Sequence, residues 1–290
     1  MSNKTLIGKN NYLFLTNDSC NELEIHCNNK NLVNNINLPQ YKFDKFIIVV
    51  FPNKSYIYKK YLPEKYDAKY RPAIQIYKNK LENKIMDGYE LLKNEDDVYY
   101  KTDTHINLKG NYIIYKNFVK KINELYNLNL TAKNVILQNK TCKLNELKYG
   151  IGDLTWKINL GDQILDDIND TYYFSDDISD FYNVYEIKNN SDIRFLTYEL
   201  CDKTNFLEEQ NDFARWDVIS KYIIYKKNID KCDTQLKVII FYDSFLLNIL
   251  PLYFDLFYEV YLIKSVYDNA LINLIKPCYV FEFRVERFLF

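Results

Sequence analysis

An aspartate, a histidine and a serine in this sequence have the residue types and local settings of a nucleophilic catalytic site. The stretch "YYKTDTHINLKGNY" places Asp103 two residues before His105, and the chain has only 2 histidines. In an extended segment, residues i and i+2 point to the same side, so the Asp103 carboxylate can lie against the imidazole Nδ1. Nε2 of His105 is then free to take a proton from a nucleophile.

The expected nucleophile is Ser244, in "KVIIFYDSFLLNILP". A strand is predicted to end near Tyr242, and ligands bind beyond the carboxyl ends of strands in parallel sheets. Backbone N–H groups near Phe245 are expected to bind an oxyanion at this turn. Each piece alone is more typical of an ordinary turn or helix cap. Their joint occurrence in loops beside core elements favours a serine hydrolase-like site.

The elements that must position these residues read as an α/β fold. Four apolar runs, rich in β-branched and aromatic residues, suit strands that are covered on both faces: "FIIVVF" (46–51), "KVIIFY" (237–242), "EVYLIK" (259–264) and "YVFEFR" (279–284). Between the last three lie "LLNILPLYFDLF" and "SVYDNALINLIK", each long enough for a helix. This alternation predicts a doubly wound, mainly parallel sheet.

One long helix is predicted directly after the D-T-H triplet, over residues 108–127. Its apolar residues recur at offsets of three and four, which is the stripe of a helix packed on one side: Tyr115, Phe118, Val119, Ile122, Leu125 and Tyr126. Asn107 is well placed to cap the first turn. The triplet therefore belongs to the loop before a helix N-terminus.

The segment from 131 to 235 has a different character. Short alternating stretches such as "NVILQNKTCKL", "TYYFSD" and "IRFLTYEL" are separated by turns rich in Asn and Asp. We interpret this segment as a β-rich insertion or cap, and residues 1–130 and 236–290 as the α/β core.

The bulk composition excludes several classes of function. With 290 residues, 48% of them hydrophobic, the chain can bury roughly 75% of its unfolded surface. It therefore needs no disulfide or structural metal for a stable core. A net charge of -1 without a long basic run argues against a nucleic-acid partner. The 6 cysteines never form C-x-x-C or cluster with histidine, so we expect free thiols, no metal and no cofactor.

The N-terminal residues lack the layout of a secretory signal, and no apolar run approaches the roughly 20 residues that span a bilayer. We therefore expect a soluble, cytoplasmic chain without membrane insertion, or a periplasmic or cell-surface one if an export segment has been removed.

Four stretches in the same order resemble the SGNH-like acyltransferases, the family that includes the alginate O-acetyltransferases: "GKNNYLFL" (8–15), "VVFPNKSYIYKKYLP" (49–63), "YYKTDTHINLKGNY" (99–112) and "VIIFYDSF" (238–245). "KPCYVFEFRVERFL" (276–289) is a weaker fifth. The D-T-H-x-N and D-S-F pieces are the specific ones. As in that family, D-x-H precedes the serine, opposite to the order of ordinary SGNH esterases.

The resemblance implies a catalytic triad of Ser244, His105 and Asp103 for acyl transfer, usually acetyl, to or from a polysaccharide hydroxyl. It implies a carbohydrate substrate and a donor that is an acyl-donor protein or an activated acyl ester. Lys54 and Asn107 match other family positions that line the pocket. Three charged residues could equally be structural: Arg71, Glu286 and Arg287.

The chain departs from the family pattern at several positions. Tyr242 stands where Gly is common, so the approach to the serine is expected to be tighter. Ile106 replaces a usual Trp, and Asn11-Tyr12 replaces Gly-Trp. Two alternatives therefore stay open, a glycan esterase or deacetylase of the same fold and a catalytically silent glycan-binding protein.

Overall fold

The protein is a mixed α/β structure built on one central sheet. The computed structural model describes residues 4–28, 36, 38–135, 137–142, 153–154, 169–174, 183–189, 192–194, 222–227 and 235–289. The α-helices are α1 (Glu22–Asn28), α2 (Lys54–Ile57), α3 (Pro72–Leu81), α4 (Gly88–Leu92), α5 (Leu108–Tyr126), α6 (Leu250–Phe254) and α7 (Asn269–Ile275). None of the described helices is long and apolar enough to cross a membrane.

The described strands comprise β1 (Thr5–Ile7), β2 (Leu13–Leu15), β3 (Phe46–Phe51), β4 (Ile85–Asp87), β5 (Leu137–Cys142), β6 (Asn169–Phe174), β7 (Asn183–Asn189), β8 (Asp192–Arg194), β9 (Tyr222–Lys227), β10 (Lys237–Tyr242), β11 (Glu259–Ile263) and β12 (Tyr279–Val285). The order in the central sheet is β4-β3-β12-β10-β11-β9-β7-β8. The first five of these run parallel to one another, and the last three join antiparallel. The predicted α/β fold class with a mainly parallel central sheet is confirmed.

Helices cover both faces of the parallel strands, as β3 illustrates. All six of its residues are buried, and because strand side chains alternate, they feed two separate cores. Ile47, Val49 and Phe51 pack in the core on the α5 side. Phe46, Ile48 and Val50 pack in the core on the α3 and α7 side. Such strands must be apolar at nearly every position, which is the pattern seen in the sequence.

The predicted strands and the long helix are confirmed almost to the residue. The helix predicted over 108–127 is α5, and its N-cap is Asn107, whose Oδ1 accepts from the Gly110 N–H at 3.0 Å. A Cβ on Gly110 would lie 2.6 Å from the Val98 carbonyl oxygen. Glycine therefore lets the first turn of α5 sit directly against the strand-like segment that leads into the D-T-H loop.

One element differs from the sequence prediction. The stretch "LLNILPLYFDLF" (246–257) is long enough for one helix, whereas the chain forms a 3₁₀ turn over Ser244–Ile249 and α6 spans only Leu250–Phe254. Pro251 accounts for the break, since it has no N–H to donate back along an α-helix and is tolerated only in the first turn.

Strands appear in the described parts of 131–235, as expected. β5 and β6 form a separate antiparallel pair, while β9 pairs with β11 and extends the central sheet. Part of this segment is therefore continuous with the core sheet. Most of "IRFLTYEL" lies outside the described residues, and the division into core and insertion stays a prediction.

Candidate active site

The structure brings Ser244, His105 and Asp103 into one hydrogen-bonded chain at the carboxyl edge of the sheet. Ser244 directly follows Asp243 at the end of β10, and its Oγ lies 2.8 Å from His105 Nε2. His105 Nδ1 lies 2.6 Å from Asp103 Oδ1. Because a carboxylate only accepts, Nδ1 carries the hydrogen and Nε2 accepts from the serine hydroxyl. This arrangement can deprotonate a hydroxyl nucleophile.

The Asp103 carboxylate is held on both of its oxygens. Oδ1 also accepts from the backbone N–H of His105 at 2.8 Å, and Oδ2 accepts from the backbone N–H of Asp153 at 3.0 Å. The first of these bonds makes the D-x-H triplet a local turn that fixes the carboxylate against the ring. Such bonds to the charged form also keep the carboxylate ionised.

Asp153 is a site residue that sequence reasoning missed. Its carboxylate accepts from the Thr104 N–H at 2.8 Å and from the Thr104 hydroxyl at 2.7 Å. Because its backbone N–H also donates to Asp103, Asp153 fixes the D-T-H loop through both Asp103 and Thr104. Its spacing, 50 residues after Asp103, gives no local pattern that could have identified it.

The same contacts shift the pKa values of the site. Loss of solvent lowers the pKa of His105, but the charge of Asp103 and its hydrogen bond outweigh this, and the net pKa is above the usual 6.5. Burial acts to raise the pKa of Asp103, yet the neighbouring His105 and the N–H donors hold it well below its usual value. For Asp153, burial and the nearby Asp103 charge both raise the pKa. The histidine is thus poised to hold a proton next to an ionised carboxylate.

We expect the imidazole of His105 to titrate above pH 6.5 in the wild-type protein and at a lower pH in the Asp103→Asn variant than in the wild type. The variant removes the Asp103 charge, the largest cause that raises the pKa, and leaves both the burial that lowers the pKa and the smaller raising effect of Asp153. Proton-detected NMR of the imidazole signals over pH 4 to 9 measures both values, and two histidines in the chain make assignment direct. An unchanged or higher pKa in the variant would contradict the assigned contact.

The Asp243 side chain organises the turn that carries Ser244. Its Oδ1 accepts from the Phe245 N–H at 2.9 Å, and its Oδ2 accepts from the Val285 N–H at 2.6 Å. The bond to Val285 ties the serine turn to the end of the neighbouring strand β12. The Phe245 N–H, which we expected to face an oxyanion, is therefore engaged by Asp243. Its predicted role in the oxyanion site requires that bond to be released.

Three other predicted site residues are buried and have contacts within the protein. Lys54 Nζ donates to the Lys101 carbonyl at 2.7 Å and to the Asp103 carbonyl at 3.0 Å. Burial lowers the pKa of Lys54 to about 7, although the Asp103 charge opposes this. Asn107 caps α5 and also donates to the Asp97 carbonyl at 2.6 Å. Tyr242 is 2% exposed in the core. Substrate contact by these residues stays a prediction.

The charged residues left open by the sequence, Arg71, Glu286 and Arg287, lie in two buried clusters. Arg71 forms bidentate bonds with Glu286 and with Asp87, between 2.6 and 3.0 Å. Arg287 pairs with Glu22 at 3.3 Å and lies over the Phe245 ring, 5.1 Å from its centroid. The first cluster ties the ends of β4 and β12 to α3, and the second packs against the residue after Ser244.

Three ligand-type atoms lie close together within the part of the chain that the structure describes. They belong to Asp103, His105 and Asp153, one atom from each residue, and lie within 4.8 Å of one another. A metal ion on His105 Nδ1 would displace the proton shared with Asp103, so it would break the serine–histidine–aspartate chain. That the protein needs no metal stays a prediction.

No protein-family model and no curated protein sequence matches the chain. Several solved structures are similar to the chain. PatB1 of Bacillus cereus aligns with 98% of this chain and 96% of its own, at a TM-score of 0.62 and 16% identity, and it has also been solved with a sulfonyl adduct. A DHHW family protein of Eubacterium siraeum covers 100% of this chain and 93% of its own, at a TM-score of 0.60 and 18% identity.

The O-acetyltransferase domain of AlgJ from Pseudomonas putida is similar over 98% of this chain and 91% of its own, at a TM-score of 0.52 and 13% identity. At such identities the likeness shows a shared fold over nearly the whole chain. It agrees with the SGNH-like α/β fold expected from the motifs. Function has to be argued from the site.

Proposed function

We propose that this protein transfers an acyl group, acetyl in the first instance, to hydroxyl groups of a polysaccharide or other glycan through an acyl-serine intermediate. The observation that carries the proposal is the chain of hydrogen bonds from Ser244 Oγ to His105 Nε2 at 2.8 Å and from His105 Nδ1 to Asp103 at 2.6 Å. The fold shared with an O-acetyltransferase domain supports acyl transfer as the reaction class.

In the first half-reaction, His105 takes the Ser244 hydroxyl proton as Oγ attacks the acyl carbon of the donor. The imidazolium that forms is stabilised by the ionised Asp103. The carbon–oxygen bond to the leaving group then breaks, and His105 returns the proton to that group. The acyl group is left as an ester on Ser244, with no change in oxidation state and no cofactor required.

In the second half-reaction, His105 takes the proton of the acceptor hydroxyl, which attacks the acyl-serine ester. The Ser244 oxygen leaves with the proton that His105 holds, and the free site is restored. A sugar hydroxyl as acceptor makes the protein a transferase, and water makes it an esterase. The proposed partners are a carbohydrate acceptor and an acyl-donor protein or activated acyl ester.

The oxyanion of the tetrahedral intermediate needs donors that this proposal places at the serine turn. Phe245 N–H is bound to Asp243 at 2.9 Å, so its use requires a small rearrangement when substrate binds. Hydrogen bonds at catalytic sites commonly tighten or re-form only in the complex with substrate.

Incubation with a chromogenic acetyl ester, with and without a polysaccharide acceptor, tests the proposal. Transfer predicts that added glycan becomes O-acetylated while ester turnover rises, and that glycan without the protein stays unmodified. Hydrolysis that no acceptor diverts would assign the protein as an esterase or deacetylase. Glycan binding without any turnover, and without labelling of Ser244 by a serine-directed phosphonate, would overturn the enzymatic proposal.

A further inference from the structure

Two asparagines connect the loop that carries the serine to the loop that carries the histidine. Asn111, in the first turn of α5, donates from Nδ2 to the Phe245 carbonyl at 2.7 Å and to the Asn248 Oδ1 at 2.5 Å. Asn248 in turn donates from its own Nδ2 to the Ile106 carbonyl at 3.2 Å. Phe245 follows the serine and Ile106 follows the histidine, so the bridge joins the residues next to both reacting groups.

The bridge lies between the two loops whose separation sets the distance from Ser244 to His105. Ser244 and His105 are 139 residues apart in the chain, and the hydrogen bond between them measures 2.8 Å. Side chains on separate loops keep such a distance only if the backbones are held in register. A misplacement of about 1 Å can cost about 100-fold in rate.

The burial of Asn111 argues that stability alone does not explain it. The residue is 1% exposed, and its Oδ1 has no hydrogen-bond partner among the residues that the structure describes. A buried polar atom without a partner is unfavourable, and an apolar side chain of similar size would avoid that cost. Both bonds that the amide donates go to the serine segment, one to the Phe245 carbonyl and one to Asn248 Oδ1.

We infer that Asn111 and Asn248 form a positioning bridge that sets the Ser244–His105 distance for the proposed reaction. The inference rests on the proposed function for its kinetic consequence, while the geometry itself is independent of it. The two residues do not touch the reacting atoms and act through the backbone of Phe245 and Ile106.

The rate at which a sulfonyl fluoride labels Ser244 reports how well the serine is activated. We expect Asn111→Leu and Asn248→Ala each to slow labelling by about 10- to 100-fold. Because the two residues form one bridge, the double variant should be slowed by about as much as the slower single variant. Asn117→Ala is the matched control, since Asn117 lies on the same helix and donates to the Ile113 carbonyl of that helix at 2.9 Å. Labelling of both single variants at the wild-type rate would overturn the inference.

Nitrogen-15 NMR of the imidazoles tests the bridge without relying on reactivity. The His105 ring signals should shift in both variants, whereas those of His26, which is bonded to Tyr70 and Asn53 at 2.7 Å each, should not. Asn248 is half-buried, so Asn248→Ala is the milder change for folding. Unchanged His105 signals in this variant would also overturn the inferred bridge. A wild-type protein whose Ser244 never reacts would refute the proposed function, and these spectra would still decide the bridge.

Discussion

Replacing Ser244 by alanine is expected to lower kcat for acetyl-ester turnover by about 10⁴- to 10⁶-fold, and His105→Ala is expected to cost about as much. The serine supplies the atom that carries the acyl group, and the histidine supplies the only base within hydrogen-bond reach of it among the described residues. The double variant should lose no more than either single variant, because the two residues work as a unit. Initial rates with a chromogenic ester measure all three.

Ser265→Ala provides the matched control. Ser265 lies just beyond β11, at the same edge of the sheet as Ser244, and is exposed. Its removal should leave kcat within about twofold of wild type, as expected of a surface substitution away from special contacts. Equal rates for Ser244→Ala and Ser265→Ala would contradict the assignment of the nucleophile.

The largest expected effect on stability comes from Arg71. Its side chain is 8% exposed, and the guanidinium binds the carboxylates of Asp87 and Glu286, whose side chains are 3% and 0% exposed. Arg71→Leu leaves these carboxylates with less compensating charge, and breaking such a buried pair typically costs about 3–5 kcal/mol of unfolding free energy. Arg71→Lys should recover only part of this, because an ammonium cannot make the paired bonds of the planar fork.

Urea unfolding followed by circular dichroism measures these changes. Lys78→Met is the comparison, because Lys78 contacts the same Asp87 at 2.7 Å but is 36% exposed. The loss there should stay below about 1 kcal/mol, as for other solvent-screened pairs. An Arg71→Leu protein that unfolds at the wild-type urea concentration would show that the cluster contributes little to stability.

Local patterns in the sequence account for much of the fold and for the three residues of the proposed triad. The strands β3, β10, β11 and β12 are recognisable because strands buried on both faces must be apolar throughout. The helix α5 is recognisable from its stripe and its Asn107 cap. The D-x-H spacing indicates the contact between Asp103 and His105, although the chain makes it in a turn and not in the extended segment that we expected.

Contacts between distant segments escape the same reasoning. The place of β12 between β3 and β10 depends on the packing of all five parallel strands, and no local pattern states it. Asp153, Asn111 and Asn248 are short polar residues. Their partners described above lie 49 or more residues away in the chain. Lys54 was matched to a pocket position by resemblance, and no local pattern indicates that its ammonium also donates to the Lys101 and Asp103 carbonyls.

The proposed reaction requires Ser244 to become covalently acylated, and rapid-quench peptide mapping measures this directly. The protein is mixed with an activated acetyl ester, quenched in acid within one turnover, digested and analysed by mass spectrometry. We predict one acetyl group on the peptide that contains Ser244, absent from the Ser244→Ala variant and lost from wild type when an acceptor glycan is added before the quench. Turnover of the ester with no acetylated Ser244 at any time point, or acetylation confined to another residue, would contradict the account.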